Sequence, residues 1–531
     1  MVVAALIYAV VAAVLFHNLL PVMTTDLYGD LGDPLLNTAI LAWNAKHLPL
    51  TAEWWNFPAF TPLSGVTAFT EHLLGAYPLA SPIIWMTGNP VLAYNVLELT
   101  CLTLNGMAAY ALVRELTGSH AGAFIGGAAF AFAPFIGEHA THVQMLMAFG
   151  MPFALLGLHR YIKDGRRTHL LWFAVGWLDV LLSNAYLLVF FPILIALWAI
   201  WFFTRTDLRR WAHIAAAAAL ASLPVVPLLL GYQHRHAAYG FVRGLDEIRA
   251  FSAPLSAISG ISHRAVLWKG WLPDSFNEAS LFPGFTIAVL ALIGVVVSRR
   301  RDALFYFVGA VAMWLLALGP DRGPYWLMVQ LPGAQSIRVP ARAWLVATLC
   351  LAVCAGFGAA WVASRRRLRW MVAVFALFIV AEARFTAATL AAPVPIPYVI
   401  PTGAMVLDMP VAAGYGNADA QYRAVLGGYR VVNGYSGYEP RYFGPFREAL
   451  AAHRPEALAP FRALADLYVI LRGDVEPPSV AWIETQPGAQ HVLDVETWKI
   501  YRLPRQDIRP APAPALPLPL PRRGEDVIVI R

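Results

Sequence analysis

Three carboxylates follow the first apolar run within eight residues: Asp26, Asp30 and Asp33. Held at a membrane boundary, such carboxylates can act as a general base, or bind a divalent cation, beside a lipid-borne substrate. A structural interpretation fits the same residues. Pro34 begins an apolar stretch for which Asp33 is a natural N-cap, and the other two aspartates would then be solvated.

Further polar side chains occur in other segments that border apolar runs. Glu71 and His72 precede a second half-apolar stretch, and Glu138, His139 and His142 occupy a short turn between two long apolar runs. The spacing of the two turn histidines puts both imidazoles on one helical face, where they would either form hydrogen bonds at the interface or help to bind a metal. The candidate ligands of such a divalent cation are Asp30, Asp33, His139 and His142.

Two arginines, Arg338 and Arg342, bracket Val-Pro-Ala just before an apolar run. Their guanidinium groups are suited to holding a phosphate, and simple anchoring at lipid headgroups explains them equally well. A third motif, Asn433-Gly-Tyr-Ser-Gly-Tyr438, combines turn residues with two aromatic rings that could stack against a sugar. Turn formation alone accounts for this motif too.

The composition indicates a membrane protein that positions these residues. The chain has 531 residues, of which 59% are hydrophobic and only 13% charged, with a mean hydropathy of +0.57. Soluble proteins have about a quarter of their residues charged. The net charge of +7 lies in short basic clusters between apolar runs, which argues for orientation in a membrane and against nucleic-acid binding.

Apolar runs of about 20 residues, long enough to cross a bilayer, recur along the first 390 residues. We place eleven transmembrane helices at about 2–22, 91–112, 120–137, 143–162, 169–183, 186–204, 211–231, 281–298, 303–319, 343–363 and 370–389. Alternate loops carry basic clusters, for example at 160–167, 299–301 and 365–369, and the positive-inside rule makes these loops cytoplasmic. The N-terminus is then cytoplasmic, and everything after the last helix lies on the outer side.

The outer side carries two larger segments. The first outer loop, residues 23–90, contains half-apolar stretches at 34–48 and 73–87 that we predict as interfacial helices. Residues 391–509 have an ordinary soluble composition, and strand-like runs at 405–407, 467–471 and 497–503 predict a small α/β domain. A proline-rich tail occupies residues 510–531.

This organisation resembles the GT-C superfamily of integral membrane glycosyltransferases, and in particular a bacterial group of GT-C-type proteins. The local sequences that carry the resemblance are Gly29-Asp-Leu-Gly-Asp-Pro-Leu-Leu-Asn-Thr-Ala-Ile-Leu-Ala-Trp-Asn44, Glu71-His-Leu-Leu-Gly75, Gly88-Asn-Pro-Val-Leu-Ala-Tyr-Asn95, Arg338-Val-Pro-Ala-Arg342 and Asn433-Gly-Tyr-Ser-Gly-Tyr438.

The resemblance implies transfer of a sugar from a polyprenyl-phosphate-type lipid donor to an acceptor on the outer, periplasmic face of the bacterial inner membrane. It also implies an aspartate base in the first outer loop, which maps to Asp33 or Asp30, with Arg338 near the leaving phosphate. Two other functions fit the many apolar helices. One is a transporter or flippase of lipid-linked glycans, and the other is a non-catalytic membrane assembly protein.

Overall fold

The structure of the protein is a computed structural model that describes residues 1–204, 207–275, 278–331, 336–396, 398–495 and 497–506. The proline-rich tail predicted at 510–531 lies outside these residues. The N-terminal part contains the elements α1 (Val2–Leu15), β1 (Asp26–Tyr28), α2 (Asp33–Lys46), α3 (Ala52–Trp55) and α4 (Tyr77–Thr87).

The central part of the chain is a bundle of apolar helices. Its first half contains α5 (Pro90–Thr117), α6 (His120–Ala131), α7 (Pro134–Glu138), α8 (Val143–Leu146), α9 (Gly150–Asp164), α10 (Thr168–Ser183), α11 (Ala185–Phe202), α12 (Leu208–Ser222), α13 (Val226–Tyr239) and α14 (Leu245–Ala250). Its second half contains β2 (Ile261–Ser262), β3 (Asp274–Ser275), α15 (Phe285–Ser298), α16 (Arg301–Ala317), α17 (Gly319–Arg322), α18 (Tyr325–Met328), α19 (Trp344–Ser364) and α20 (Met371–Glu382). The core of the bundle is built around α19, which is buried along most of its length and packs against α6, α15 and α16.

Each of the eleven apolar runs contains a helix in the structure. Within the described residues, six helical stretches are long and apolar enough to cross a bilayer: Pro90–Thr117, His120–Glu138, Val143–Asp164, Ala185–Phe202, Leu208–Tyr239 and Pro340–Ser364. Four others are apolar but shorter, including α1 and α20. The count of eleven crossings therefore stays a prediction, whereas a multi-pass architecture is clear.

The C-terminal part folds around a mixed five-stranded sheet. Its elements are β4 (Thr389–Ala391), β5 (Met405–Met409), α21 (Ala418–Gly427), β6 (Arg430–Val431), α22 (Phe443–Ala451), α23 (Ala459–Leu464), β7 (Leu467–Leu471), α24 (Pro477–Glu484), β8 (Gln490–Val495) and β9 (Trp498–Leu503). The strand order is β6-β5-β7-β9-β8, in which β5 runs parallel to β6 and β7, and β9 runs antiparallel to β7 and β8. Strand β4 stands apart and pairs with β1.

The first outer loop is enclosed between the helical bundle and the C-terminal part. Helix α2 packs against α4 and α5 on one side and against α21 on the other, and ten of its fourteen residues are buried. Because α2 is covered on both sides, it can carry apolar side chains around its whole circumference. Helix α4 is more open, since Trp85 and Met86 at its end are largely exposed, and its position at the membrane interface stays a prediction.

Candidate active site

Asp33 begins α2 but does not cap it. Gly32 is the N-cap residue of α2, and no side chain forms a capping hydrogen bond at this end of the helix. The Asp33 carboxylate instead accepts a hydrogen bond from the Tyr435 hydroxyl at Oδ1, with an O···O distance of 2.6 Å. Its Oδ2 lies 3.1 Å from Nε2 of His142. The capping interpretation of Asp33 is therefore wrong, and the carboxylate is held by two side chains from distant parts of the chain.

These two contacts set the charge of the carboxylate. Burial alone would raise the pKa of Asp33, but the hydrogen bond and charge of His142, followed by the Tyr435 hydroxyl and the charge of Arg342, lower this pKa to about 2. The side chain is still 31% exposed. Asp33 is thus an ionised carboxylate at neutral pH that a ligand can reach.

Asp30 has different partners, although it lies only three residues earlier. Its Oδ1 accepts the Gly32 N–H at 2.8 Å, which closes a local turn, and its Oδ2 lies 3.6 Å from the Arg264 guanidinium. The turn depends on Gly29, which has φ +92° and whose Cβ, if present, would lie 2.2 Å from Cγ2 of Thr141. The backbone therefore passes directly against the histidine turn.

His139 and His142 lie between α7 and α8, with their ring centroids 5.5 Å apart. Nε2 of His139 is 3.6 Å from Oε2 of Glu278. Burial lowers the pKa of His139 to about 3, which outweighs the attraction of Glu278. His139 is therefore neutral, and the two histidines have different carboxylate neighbours.

Arg342 lies at the start of the helical segment that continues into α19. Its Nε donates to Oε2 of Glu278 at 2.9 Å, and its Nη2 donates to Oε1 of the same carboxylate. The guanidinium also stacks on Tyr186, with its carbon 4.5 Å from the ring centroid. Burial would raise the pKa of Glu278, but the charge of Arg342 lowers it well below its usual range. This is a bidentate ion pair of the kind that fixes geometry.

Arg338 is more accessible than Arg342. Its Nη1 lies 3.1 Å from Oε1 of Glu247, and its guanidinium stacks over Phe251. The Arg338 side chain is 36% exposed, against 8% for Arg342. Of the two arginines, Arg338 is therefore the one whose donors an incoming anion can reach.

Glu71 and His72 have separate surroundings. Burial raises the pKa of Glu71 to about 7, with Asp33 adding to the rise and Arg342 opposing it, and its buried Oε2 has no hydrogen-bond partner among the described residues. His72 instead accepts the Leu74 N–H at Nδ1, and its ring packs edge-on against Tyr232. Its contacts are with Leu74 of its own loop and with Tyr232 of α13 rather than with Asp33.

The candidates thus form two adjacent groups. Glu138 interacts with Ser262 and with the charge of Arg264, and so belongs with Asp30. The larger group consists of Asp33, Glu71, His139, His142, Glu278, Arg342 and Tyr435. Arg338 borders this larger group, since its charge acts on both Tyr435 and Arg342.

The predicted cation ligands do not converge as a metal site. Within the ranges that the structure describes, no group of three or more His, Cys, Asp or Glu side chains is arranged to hold a metal ion. Asp33 and His142 are bonded to each other, Asp30 is turned toward Arg264, and His139 is next to Glu278. In the described residues, these side chains therefore pair with one another, with Glu278 and with arginine, and they do not fit a cation site.

Comparison with known proteins places this geometry on a known fold. No family model matches the sequence, and no curated protein matches it. Among solved structures, the arabinofuranosyltransferase AftD from Mycobacteria superposes over 96% of this chain with a TM-score of 0.60 and 17% identity. ArnT from Cupriavidus metallidurans bound to undecaprenyl phosphate covers 94% of the chain (TM-score 0.51, 12% identity), and the Archaeoglobus fulgidus oligosaccharyltransferase covers 91% (TM-score 0.51, 13% identity). All three are GT-C glycosyltransferases.

The chain has a GT-C fold. It spans 40% of the length of the AftD chain, 97% of the ArnT chain and 70% of the oligosaccharyltransferase chain. The resemblance inferred from the local sequences is thereby confirmed at the level of the fold, and the protein is a multi-pass membrane protein.

Three residues of the candidate site were not singled out from sequence. Glu278 and Arg264 both lie in the segment between α14 and α15, which has no recognisable motif. Tyr435 belongs to a motif whose rings we predicted could stack against a sugar. In the structure, its hydroxyl donates a hydrogen bond to Asp33. The ring of the second tyrosine, Tyr438, is already covered by Phe241 and Arg243.

Proposed function

We propose that the protein is a membrane glycosyltransferase that moves a sugar from a polyprenyl-phosphate-type lipid to an acceptor hydroxyl on the outer face of a bacterial inner membrane. The observation that carries this proposal is the position of Asp33. It is an ionised, partly exposed carboxylate at the start of α2, held by His142 and Tyr435 and within reach of the charge of Arg342, in a GT-C fold. A lipid donor is further supported by the undecaprenyl phosphate bound in the ArnT structure.

In the proposed reaction, Asp33 accepts the proton of the acceptor hydroxyl while that oxygen attacks the anomeric carbon of the donor sugar. The bond between the anomeric carbon and the phosphate oxygen breaks, and polyprenyl phosphate leaves with the electron pair. The charge that develops on this phosphate needs a positive partner. Arg338 supplies it, because its guanidinium is 36% exposed and paired only through Nη1 with Glu247 in the described residues, whereas Arg342 is buried in a bidentate pair with Glu278.

Sidedness follows from the charges of the loops. The basic clusters at 160–167, 299–301 and 365–369 favour the cytoplasmic side, and we therefore assign the candidate site and residues 391–506 to the periplasmic side. Donor lipids on that side can diffuse laterally to the site, and no nucleotide sugar is required.

The test is a transfer assay with the full-length protein reconstituted in liposomes. The probes are radiolabelled undecaprenyl-phosphate pentoses and hexoses, with cell-envelope glycans and lipids as acceptors. We expect label to appear in a new glycosidic product together with free undecaprenyl phosphate. Labelled lipid that crosses the bilayer without a new glycosidic bond would instead establish the flippase function and overturn the proposal. A chain that neither transfers nor moves any of these lipids would also overturn it.

A further inference from the structure

The C-terminal part contributes a side chain to the candidate site. We infer that Tyr435 is a positioning residue that holds Asp33 in the orientation needed to take the acceptor proton, so that the C-terminal sheet completes the active site. This inference rests on the proposed function. Tyr435 and Asp33 are 402 residues apart, and their side chains meet in a 2.6 Å hydrogen bond.

The loop that carries Tyr435 is fixed to the C-terminal sheet. Asn433 is buried, accepts the Asp408 N–H at 2.9 Å and donates from Nδ2 to the Asp408 carbonyl oxygen at 2.7 Å, so that its side chain pairs with β5 as a strand would. The Tyr435 N–H donates to Oε1 of the fully buried Gln421 on α21. Both sides of the tyrosine are therefore held by buried polar contacts, which are costly to break.

The same loop is also fixed to the first outer loop. The Phe60 N–H donates to the Asn433 carbonyl oxygen at 2.9 Å, and the Tyr438 N–H donates to the Phe69 carbonyl oxygen at 2.9 Å. Gly434 lies directly against the Phe60 ring, where a Cβ would be 2.5 Å from the ring carbons. Backbone hydrogen bonds on both sides of Tyr435 therefore connect its loop to the loop that contains α2.

Helix α2 has a second attachment to the C-terminal part at its other end. Nζ of Lys46, the last residue of α2, donates to the Val425 carbonyl oxygen of α21 at 2.7 Å. The helix that carries the candidate base is therefore held at both ends by the C-terminal part. This arrangement fixes the position of α2 as well as the direction of the Asp33 side chain.

Loss of the Tyr435 hydroxyl would have two opposing effects on the reaction. Without this donor the Asp33 carboxylate is a slightly stronger base, and such a change speeds proton transfer by a factor of about three or less. Misplacing a catalytic group by about 1 Å costs on the order of a hundredfold in rate. The loss in rate from misplacing the carboxylate outweighs the gain from its higher basicity, so we expect the rate to fall.

Tyr435→Phe tests this inference, and Tyr438→Phe is the matched control. Both changes remove one hydroxyl from the same loop, but the buried Tyr438 hydroxyl has no hydrogen-bond partner among the described residues. In the reconstituted transfer assay, we expect kcat of Tyr435→Phe to be about tenfold or more below that of Tyr438→Phe, with KM for the donor lipid within about twofold. We also expect the acidic limb of its pH profile at a higher pH, because Tyr435 stabilises the ionised form of Asp33.

Equal kcat values and superimposable pH profiles for the two variants would overturn the role of Tyr435. This result would leave the proposed function intact as long as the wild type forms a glycosidic product. A wild type that forms no such product would overturn the proposed function itself. A parallel loss of kcat in both variants, with unchanged pH profiles, would show a structural role of the loop and would equally contradict the inference.

Discussion

His142 and Asp33 form an imidazole–carboxylate pair, with 3.1 Å between Nε2 and Oδ2. The histidine comes from the turn between α7 and α8, and the aspartate begins α2. The pair therefore joins the helical bundle to the first outer loop at the point where we place the acceptor hydroxyl. Its existence makes the charge of Asp33 dependent on a residue outside its own loop.

The first prediction concerns this pair. His142→Ala removes the partner that contributes most to lowering the pKa of Asp33, so this pKa should rise from about 2 toward the ordinary value for an aspartate. We expect the transfer rate to fall about tenfold or more at neutral pH because the carboxylate loses its orientation. We also expect the acidic limb of the pH–rate profile to move upward. His17→Ala, which changes an exposed histidine at the end of α1, is the control, and a profile of His142→Ala that matches it would contradict the assignment.

A second prediction addresses the Arg342–Glu278 ion pair. Arg342→Met leaves the Glu278 carboxylate largely buried without its partner, which costs about 3–5 kcal/mol in comparable buried pairs. The apparent Tm in detergent should fall markedly. The double variant Arg342→Met, Glu278→Gln should regain much of this loss, because no uncompensated charge remains. Additive losses in the double variant would show that the two side chains do not act as a pair.

A third prediction follows from the raised pKa of Glu71, which is about 7 instead of about 4.5. Because the folded state favours the protonated carboxyl, the stability that Glu71 contributes is fully present below pH 4.5 and is lost as the pH rises through 7. The apparent Tm of the wild type should therefore fall, relative to that of Glu71→Gln, between pH 5 and pH 8. Thermal unfolding by intrinsic fluorescence at a series of pH values measures this difference. His72 and His139 are present in both proteins, so their contributions cancel in the difference between the two Tm values. Parallel curves of Tm against pH would contradict the placement of Glu71.

The fourth prediction concerns sidedness. The three native cysteines, Cys101, Cys350 and Cys354, are all buried, so background labelling should be low. A cysteine at the exposed position Glu476 should react with a membrane-impermeant maleimide in cells whose outer membrane is permeabilised. A cysteine at the exposed position Arg366 should react only after the inner membrane is opened. The reverse pattern would place the candidate site in the cytoplasm and contradict the proposed lipid donor chemistry.

Much of the fold follows from local sequence. Each of the eleven apolar runs predicted a helix, and the structure has a helix in each of them; the strand-like runs at 405–407, 467–471 and 497–503 predicted β5, β7 and β9. The burial of α2 did not follow, because what covers it is α21, almost 400 residues away. Hydropathy shows that a segment avoids water. It does not show whether lipid or another part of the chain covers the segment.

The site was predictable only in part, for a related reason. The position of Asp33 next to a helix start was visible, as were the histidine turn and the Arg338–Arg342 motif. Which of Asp30 and Asp33 faces the histidines depends on the turn at Gly29 and on its close contact with Thr141. Glu278 and Tyr435 reach the site through tertiary packing, and no local pattern encodes such a contact.

The most direct test of the central claim is sugar transfer by Asp33→Asn in the reconstituted system, with Asp30→Asn and Asp26→Asn measured beside it. All three variants remove one negative charge from the same loop, and the Asp26 carboxylate accepts a hydrogen bond from the neighbouring Thr25 hydroxyl at Oδ1. The proposed mechanism predicts that Asp33→Asn loses at least a hundredfold in kcat, while Asp26→Asn stays close to the wild type. Full activity of Asp33→Asn would contradict the assignment of the base, and loss of activity in Asp30→Asn alone would move that role to Asp30.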